Sequence, residues 1–170
     1  MEPVAKQGWI LLIHETVKYY LAKVPSNISN DVEESTESES QSADAYTYVN
    51  AELELHGYYL GSKIVTRLTL GKGCIWDQNG CVIFVCKELW KYLFGTNASR
   101  LQSNSQVTTG LPKGVKDPTY KRTAKSNEYK MHYLHLIAGI VRGALASLGL
   151  RATVVPSIEA TYVFKVYLQG

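Results

Sequence analysis

The sequence predicts an α+β domain, with about four helices packed on one face of a small antiparallel sheet. Three observations carry that reading. Apolar residues recur at helical spacing in four stretches, near 4–24, 48–70, 77–94 and 127–149. The end of the chain alternates instead, with Tyr162, Phe164, Val166 and Leu168 set against Thr161, Lys165 and Tyr167. Gly139, Gly143 and Ser147, and again Gly57 and Gly61, repeat every four residues and thin one face of two helices.

Taken in order, Ile10, Ile13, Val17, Leu21 and Val24 mark one face of the first helix, which Pro25 stops. Trp9, Leu12, Tyr19 and Tyr20 mark a second face, and a helix with two apolar faces has two neighbours. Residues 26–45 are rich in Ser, Glu and Asn, and the expectation is a disordered acidic linker inside one domain spanning 1–170. The second helix carries Val49, Leu53, Leu60, Ile64 and Leu68 on a stripe and ends at Gly71-Lys72-Gly73. Cys81–Phe94 opens like a buried strand, yet Val82, Cys86, Leu89, Trp90, Leu93 and Phe94 sustain a helical period well beyond strand length. That helix starts near Asp77 and stops at Gly95. Arg100–Thr109 reads as a short edge strand and Gly110–Ser126 as loop, given Gly-Leu-Pro-Lys-Gly and Asp-Pro. The glycine-ridged helix follows from about Asn127, with Gly149 where a left-handed cap is wanted. Arg151–Val155 and the final strand close the sheet.

With 170 residues, 45% of them hydrophobic and 19% charged, the chain is long enough for a real core. No basic leader with an apolar core is evident at the N-terminus, and apolar runs are about five residues long, against roughly 18 for a membrane span. The expectation is a cytoplasmic protein, at most peripheral to a membrane. Cys74, Cys81 and Cys86 fit no zinc spacing and are expected to be reduced. Net charge is +3, with acidic residues gathered at 31–44 and basic ones at 113–130. The basic stretch holds only Tyr120 and Tyr129 for stacking, so a solvated or partner-facing loop is expected rather than nucleic-acid binding.

No catalytic constellation emerges, and neither a metal nor a cofactor is expected. His132 and His135 share a helix face without a third ligand at matching spacing. Gly71-Lys72-Gly73 lacks the rest of a dinucleotide fingerprint.

Two strings carry a family resemblance. Gly139-Ile140-Val141-Arg142-Gly143-Ala144-Leu145, with Leu148-Gly149, is similar to the penultimate helix of the small core subunits of TRAPP, a multisubunit tether of early secretory traffic. Phe84-Val85-Cys86-Lys87-Glu88-Leu89-Trp90-Lys91, with Leu93-Phe94, resembles the subunit-six branch, the thirty-three kilodalton subunit of yeast. Leu101-Gln102-Ser103-Asn104 falls where that branch carries Leu-x-Thr-Asn, and Leu11–Val17 echoes its first helix. After Asn104 the chain departs from the branch's Gly-Thr-aromatic hairpin, which puts the second hairpin strand in doubt.

The resemblance implies a Bet-three-like sandwich fold and a noncatalytic scaffold at the cis-Golgi and endoplasmic reticulum. That scaffold pairs through its first two helices with a Bet-three-type subunit, joins other TRAPP subunits, and supports nucleotide exchange on a Rab GTPase only indirectly. Membrane association is then peripheral, through the complex. Trp9, Leu12, Tyr20, Leu53, Tyr59 and Leu60 are the candidate interface residues, and Cys86, Lys87, Trp90, Gly139, Arg142 and Gly143 are motif residues with a structural role. Cys74 falls near the place where Bet-three carries an acyl chain, although the subunit-six branch is not generally thought to hold one. The alternative is a stand-alone binding module for a small hydrophobic ligand, disfavoured by the large side chains Trp76, Trp90, Phe84 and Phe94.

Overall fold

The computed structural model describes residues 3–23, 37–73, 77–98, 100–102, 106–108, 124–158 and 162–169. Its elements in order are α1 (Pro3–Ala22), α2 (Glu37–Thr69), α3 (Gln78–Phe84), a π-helical turn (Val85–Leu89), α4 (Trp90–Phe94), β1 (Arg100–Gln102), β2 (Gln106–Thr108), α5 (Ala124–Ser147), β3 (Ala152–Ile158) and β4 (Tyr162–Leu168). Since α3, the π turn and α4 form one continuous rod, the helices among the described residues number four, and the strands there make an antiparallel sheet in the order β1-β2-β4-β3.

The α2–α5 pair organises the molecule, and glycine is the reason. A Cβ on Gly143 would lie 2.7 Å from the Tyr58 carbonyl carbon, and one on Gly139 would lie 2.8 Å from that of Glu54. The reciprocal holds on α2, where Gly61 abuts the Ile140 backbone and Gly57 abuts Leu136 and Ile140. Both ridges therefore interlock, backbone on backbone, and Ser147 Oγ donates to Ser62 Oγ at 2.8 Å one step further along. Such an approach offsets the roughly 1 kcal/mol that each glycine costs in a helix.

α5 ends as its sequence predicts. Gly149 has φ +85°, and Leu150 N–H donates to Leu145 O (2.9 Å) while Gly149 N–H donates to Ala146 O (3.0 Å), the two bonds of a Schellman cap. Asp77 caps α3 by accepting from Gly80 N–H at 2.8 Å, and Gly95 at φ +73° closes α4.

Two expectations need correction. α2 begins at Glu37, so residues 37–45 of the tract expected to be disordered are helical. Composition measures what a segment can bury, whereas extending an anchored helix needs only propagation, which is far less costly than nucleation. Residues 26–36 lie outside the described ones. The doubtful hairpin strand also exists: β2 pairs with β1 through Leu101 opposite Val107, and with β4 through Val107 opposite Phe164. Register against an already formed strand supplies what the missing motif does not.

Inward-facing Val154, Phe164 and Val166 meet the helical layer, whereas Thr153, Val155 and Tyr167 face out. Trp90, 2% exposed, is the pivot between layers, with its ring 4.6 Å from Phe94 and 6.0 Å from Phe164. Pro156 sits in the outer strand β3, where a missing N–H discourages a further strand from adding.

Candidate partner-binding face

With α2 fixed by its glycine face, the opposite side of the helix points away from the core. Tyr48 (65% exposed), Leu55 (44%) and Tyr59 (62%) line that side at spacings of seven and four, the seam of an amphipathic helix that meets no neighbour among the described residues. Leu11, Leu12 and Tyr19 of α1 are exposed as well. The two helices are joined at their edge, where the Tyr20 ring meets His56 at 5.9 Å. Burial, with the Glu52 carboxylate behind it, pushes the Tyr20 hydroxyl pKa up. Lys23 Nζ lies 4.5 Å above the Tyr19 ring, whose hydroxyl holds that ammonium above its ordinary range. Single exposed leucines mean little, but tyrosines and leucines gathered on adjoining helices make this face the candidate interaction surface.

The structure separates the six residues expected at an interface. Leu12 and Tyr59 are exposed. Trp9, Tyr20 and Leu60 are half-buried against the protein's own core, and Trp9 Nε1 is sealed from solvent with no hydrogen-bond partner among the described residues. Leu53 is 0% exposed and cannot touch a partner, because it lies on the side of α2 that faces the core. Tyr19, Tyr48 and Leu55, absent from the expected set, belong on the face.

The motif residues differ in their surroundings. Cys86 and Trp90 are buried, and burial pushes the Cys86 thiol up to about 11. Within the π turn, the Trp90 N–H reaches Val85 O, which leaves Cys86 O to accept from Ala98 N–H at 3.1 Å. The wide turn thus ties the chain leaving α4 back to the helix and aims it towards β1. Lys87 is exposed, and its neighbour Glu88 binds Lys72 at 3.0 Å, which holds the Glu88 carboxyl below its usual range. Arg142 Nη1 meets Glu54 Oε1 at 2.7 Å across the glycine contact and lies over the Tyr58 ring.

The histidines serve packing. His132 is 2% exposed, its Nδ1 2.7 Å from Asn50 Oδ1, and burial, reinforced by His135, lowers its pKa to about 4. His135 lies 3.8 Å from Glu54; burial lowers its pKa against the opposing pull of that carboxylate. His14 Nδ1 is hydrogen-bonded to the Tyr133 hydroxyl. Among the described residues no group of three ligating side chains converges. Cys74 and most of the basic 113–130 stretch lie outside the described residues.

A family model described as "Transport protein particle (TRAPP) component" matches residues 9–168, nearly the whole chain. The chain belongs to the TRAPP component family. Among curated relatives, trafficking protein particle complex subunit 6B of Homo sapiens is 25% identical over 112 residues, covering 64% of this chain and 70% of that protein. Human subunit 6A is 28% identical over 116 residues, covering 66% and 72%. Among solved structures, a trafficking protein particle complex subunit 3 from Naegleria fowleri, described as covalently bound to palmitic acid, superposes with a TM-score of 0.59. It covers 94% of this chain and 96% of its own at 14% identity, a likeness of fold. TRAPP membership and a part in vesicle trafficking follow from the family. No helix among the described residues is long and apolar enough to cross a membrane.

Proposed function

We propose that this chain is a noncatalytic structural subunit of a TRAPP-type tethering complex. Its α1–α2 face pairs with a Bet-three-type subunit, and the assembly, not this chain, promotes Rab nucleotide exchange in traffic between the endoplasmic reticulum and the Golgi. The observation that carries the reading is the exposed seam of Leu12, Tyr19, Tyr48, Leu55 and Tyr59, aromatic and aliphatic as the cores of stable interfaces are. A noncatalytic role accords with how the interior polar groups are used. His132 is engaged by Asn50 and Glu54 by Arg142, and each contact joins α2 to α5.

An acyl-carrying role has less support. Among the described residues, the apolar cavity between Val85, Trp90, Val141 and Phe164 holds about 20 Å³, room for one water and far less than a palmitoyl chain needs. The test is co-expression with a trafficking protein particle complex subunit 3 partner. Leu12→Asp combined with Tyr59→Asp should abolish co-purification while leaving the melting temperature of the isolated chain within a few degrees. Retention of the complex by that variant overturns the proposal.

A further inference from the structure

α1 is held far more weakly than the helices it lies on. α2 and α5 meet backbone on backbone, and Asn50–His132, Glu54–Arg142 and Ser62–Ser147 join them side chain to side chain. Of residues 8–22 in α1, only Ile13 and Val17 are buried, whereas Trp9, Tyr20 and Leu21 are half-buried. The helix carries no acid in its first turn and no base in its last, so its dipole goes uncompensated, and Gly8 weakens its interior. Docking also seals the Trp9 N–H from water with no hydrogen-bond partner among the described residues, a loss that undocking reverses. Thr16 and Lys18 bond only within the helix, to Leu12 and Glu15. Among the described residues, one side-chain hydrogen bond leaves α1 for the body, from His14 to the Tyr133 hydroxyl of α5. Their rings stack at 6.2 Å. The Tyr133 hydroxyl donates to that of Tyr129 at 3.3 Å, which leaves His14 Nδ1–H as the donor to its oxygen. The tyrosine pair lies within α5 and survives if α1 lifts away; the bond to His14 does not.

We infer that α1 opens from the α2–α5 body as a unit of its own, that His14 and Tyr133 are the positioning residues that latch it, and that a bound partner holds it closed. Local opening of this kind needs less free energy than global unfolding and is drawn from elements with few buried contacts. Leu12 and Tyr19 lie exposed on α1, so that part of the partner face exists only while the helix is docked, whereas Tyr48, Leu55 and Tyr59 stay in place on α2 throughout. A partner that recognises only the docked arrangement must, by linkage, suppress the opening. This last step rests on the function proposed above; the latch does not.

The test is amide hydrogen exchange of the full chain in sub-denaturing urea, with circular dichroism to confirm that each variant is folded. Amides of 10–21 should exchange faster than those of 136–145 and through an opening that responds little to urea, because it exposes little surface. Equal rates with equal urea dependence in both helices overturn the separate opening. Tyr133→Phe keeps the ring and removes the hydroxyl, and should speed exchange in α1 about threefold to tenfold. In a His14→Ala background the same substitution should change α1 exchange hardly at all, since the bond is already gone. No acceleration in wild type, or the same acceleration in both backgrounds, overturns the latch. Addition of a subunit 3 partner should slow exchange in α1 at least about tenfold. A partner that binds and leaves α1 exchanging as before overturns the closure. A partner that does not bind overturns the proposed function, and the latch is then judged by the first two comparisons alone.

Discussion

Gly143→Ala isolates the contact on which the fold turns. In an open helical site, replacing glycine by alanine stabilises by about 0.5–1 kcal/mol, because alanine loses less conformational freedom on folding. Gly8 in α1 is such a site: a Cβ there meets nothing within 4 Å, and Gly8→Ala should raise stability by about that amount. At Gly143 the added carbon would sit 2.7 Å from the Tyr58 carbonyl carbon and 2.8 Å from its Cα, against main-chain atoms that cannot turn aside as a flexible side chain would. α2 and α5 must separate, loosening Gly139 on Glu54, Gly61 on Ile140 and the Ser147–Ser62 hydrogen bond together. Overpacking of this kind costs about 1–3 kcal/mol. Less the gain in propensity, the expected result is a net loss of up to about 2.5 kcal/mol, or up to roughly 10 °C in Tm for a chain of this size. Urea unfolding of wild type, Gly8→Ala and Gly143→Ala, followed by circular dichroism, makes the comparison. The reasoning fails if Gly143→Ala is stabilised to the extent that Gly8→Ala is.

Acid should weaken the fold through His132. Its folded pKa, about 4, lies below the ordinary 6.5, so the imidazole is neutral in the native protein while the unfolded chain takes up a proton. Stability from this group is intact above pH 6.5 and falls as pH drops towards 4, by about 3 kcal/mol, and His132→Gln should flatten that part of the urea-midpoint profile. Across the glycine contact, a double-mutant cycle with Glu54→Gln and Arg142→Met should return a coupling of about 0.5–1 kcal/mol, modest because both groups are partly solvated.

Much of this was legible in the chain. The caps at Asp77, Gly95 and Gly149 follow from local backbone demands, which a sequence states directly. The glycine ridges were legible as thinned faces on two helices, whereas spacing alone does not say that the two faces meet each other, as they do. The division of Arg100–Thr109 into two strands was hidden, since Gln106, Val107 and Thr108 carry almost no periodic signal of their own and β2 owes its place to pairing with β1 and β4. Nor does the sequence show the π turn, where one displaced hydrogen bond frees Cys86 O without altering the apolar pattern. Residues 37–45 misled for a related reason, their helicity being inherited from the helix they extend.

The interface residues show where pattern reading reaches its limit, and how it extends. Choosing leftover apolar positions put Leu53 on the surface, although Leu53, 0% exposed, belongs to the core. Apolar character identifies burial without saying whose. The glycine ridge supplies the missing reference direction, since Gly57 and Gly61 must point at α5 and the partner face must lie half a helical turn away. At 100° per residue, that criterion selects Tyr48, Leu55 and Tyr59 and rejects Leu53 and Leu60. The same constraint connects fold to function. By locking α2 to α5 through backbone contact, the glycines fix which side of α2 is presented, so loosening Gly143 on Tyr58 should change the presentation of the Tyr48–Leu55–Tyr59 seam as well as stability. Gly143→Ala should therefore bind a subunit 3 partner more weakly even at temperatures where it remains fully folded, whereas Gly8→Ala should not.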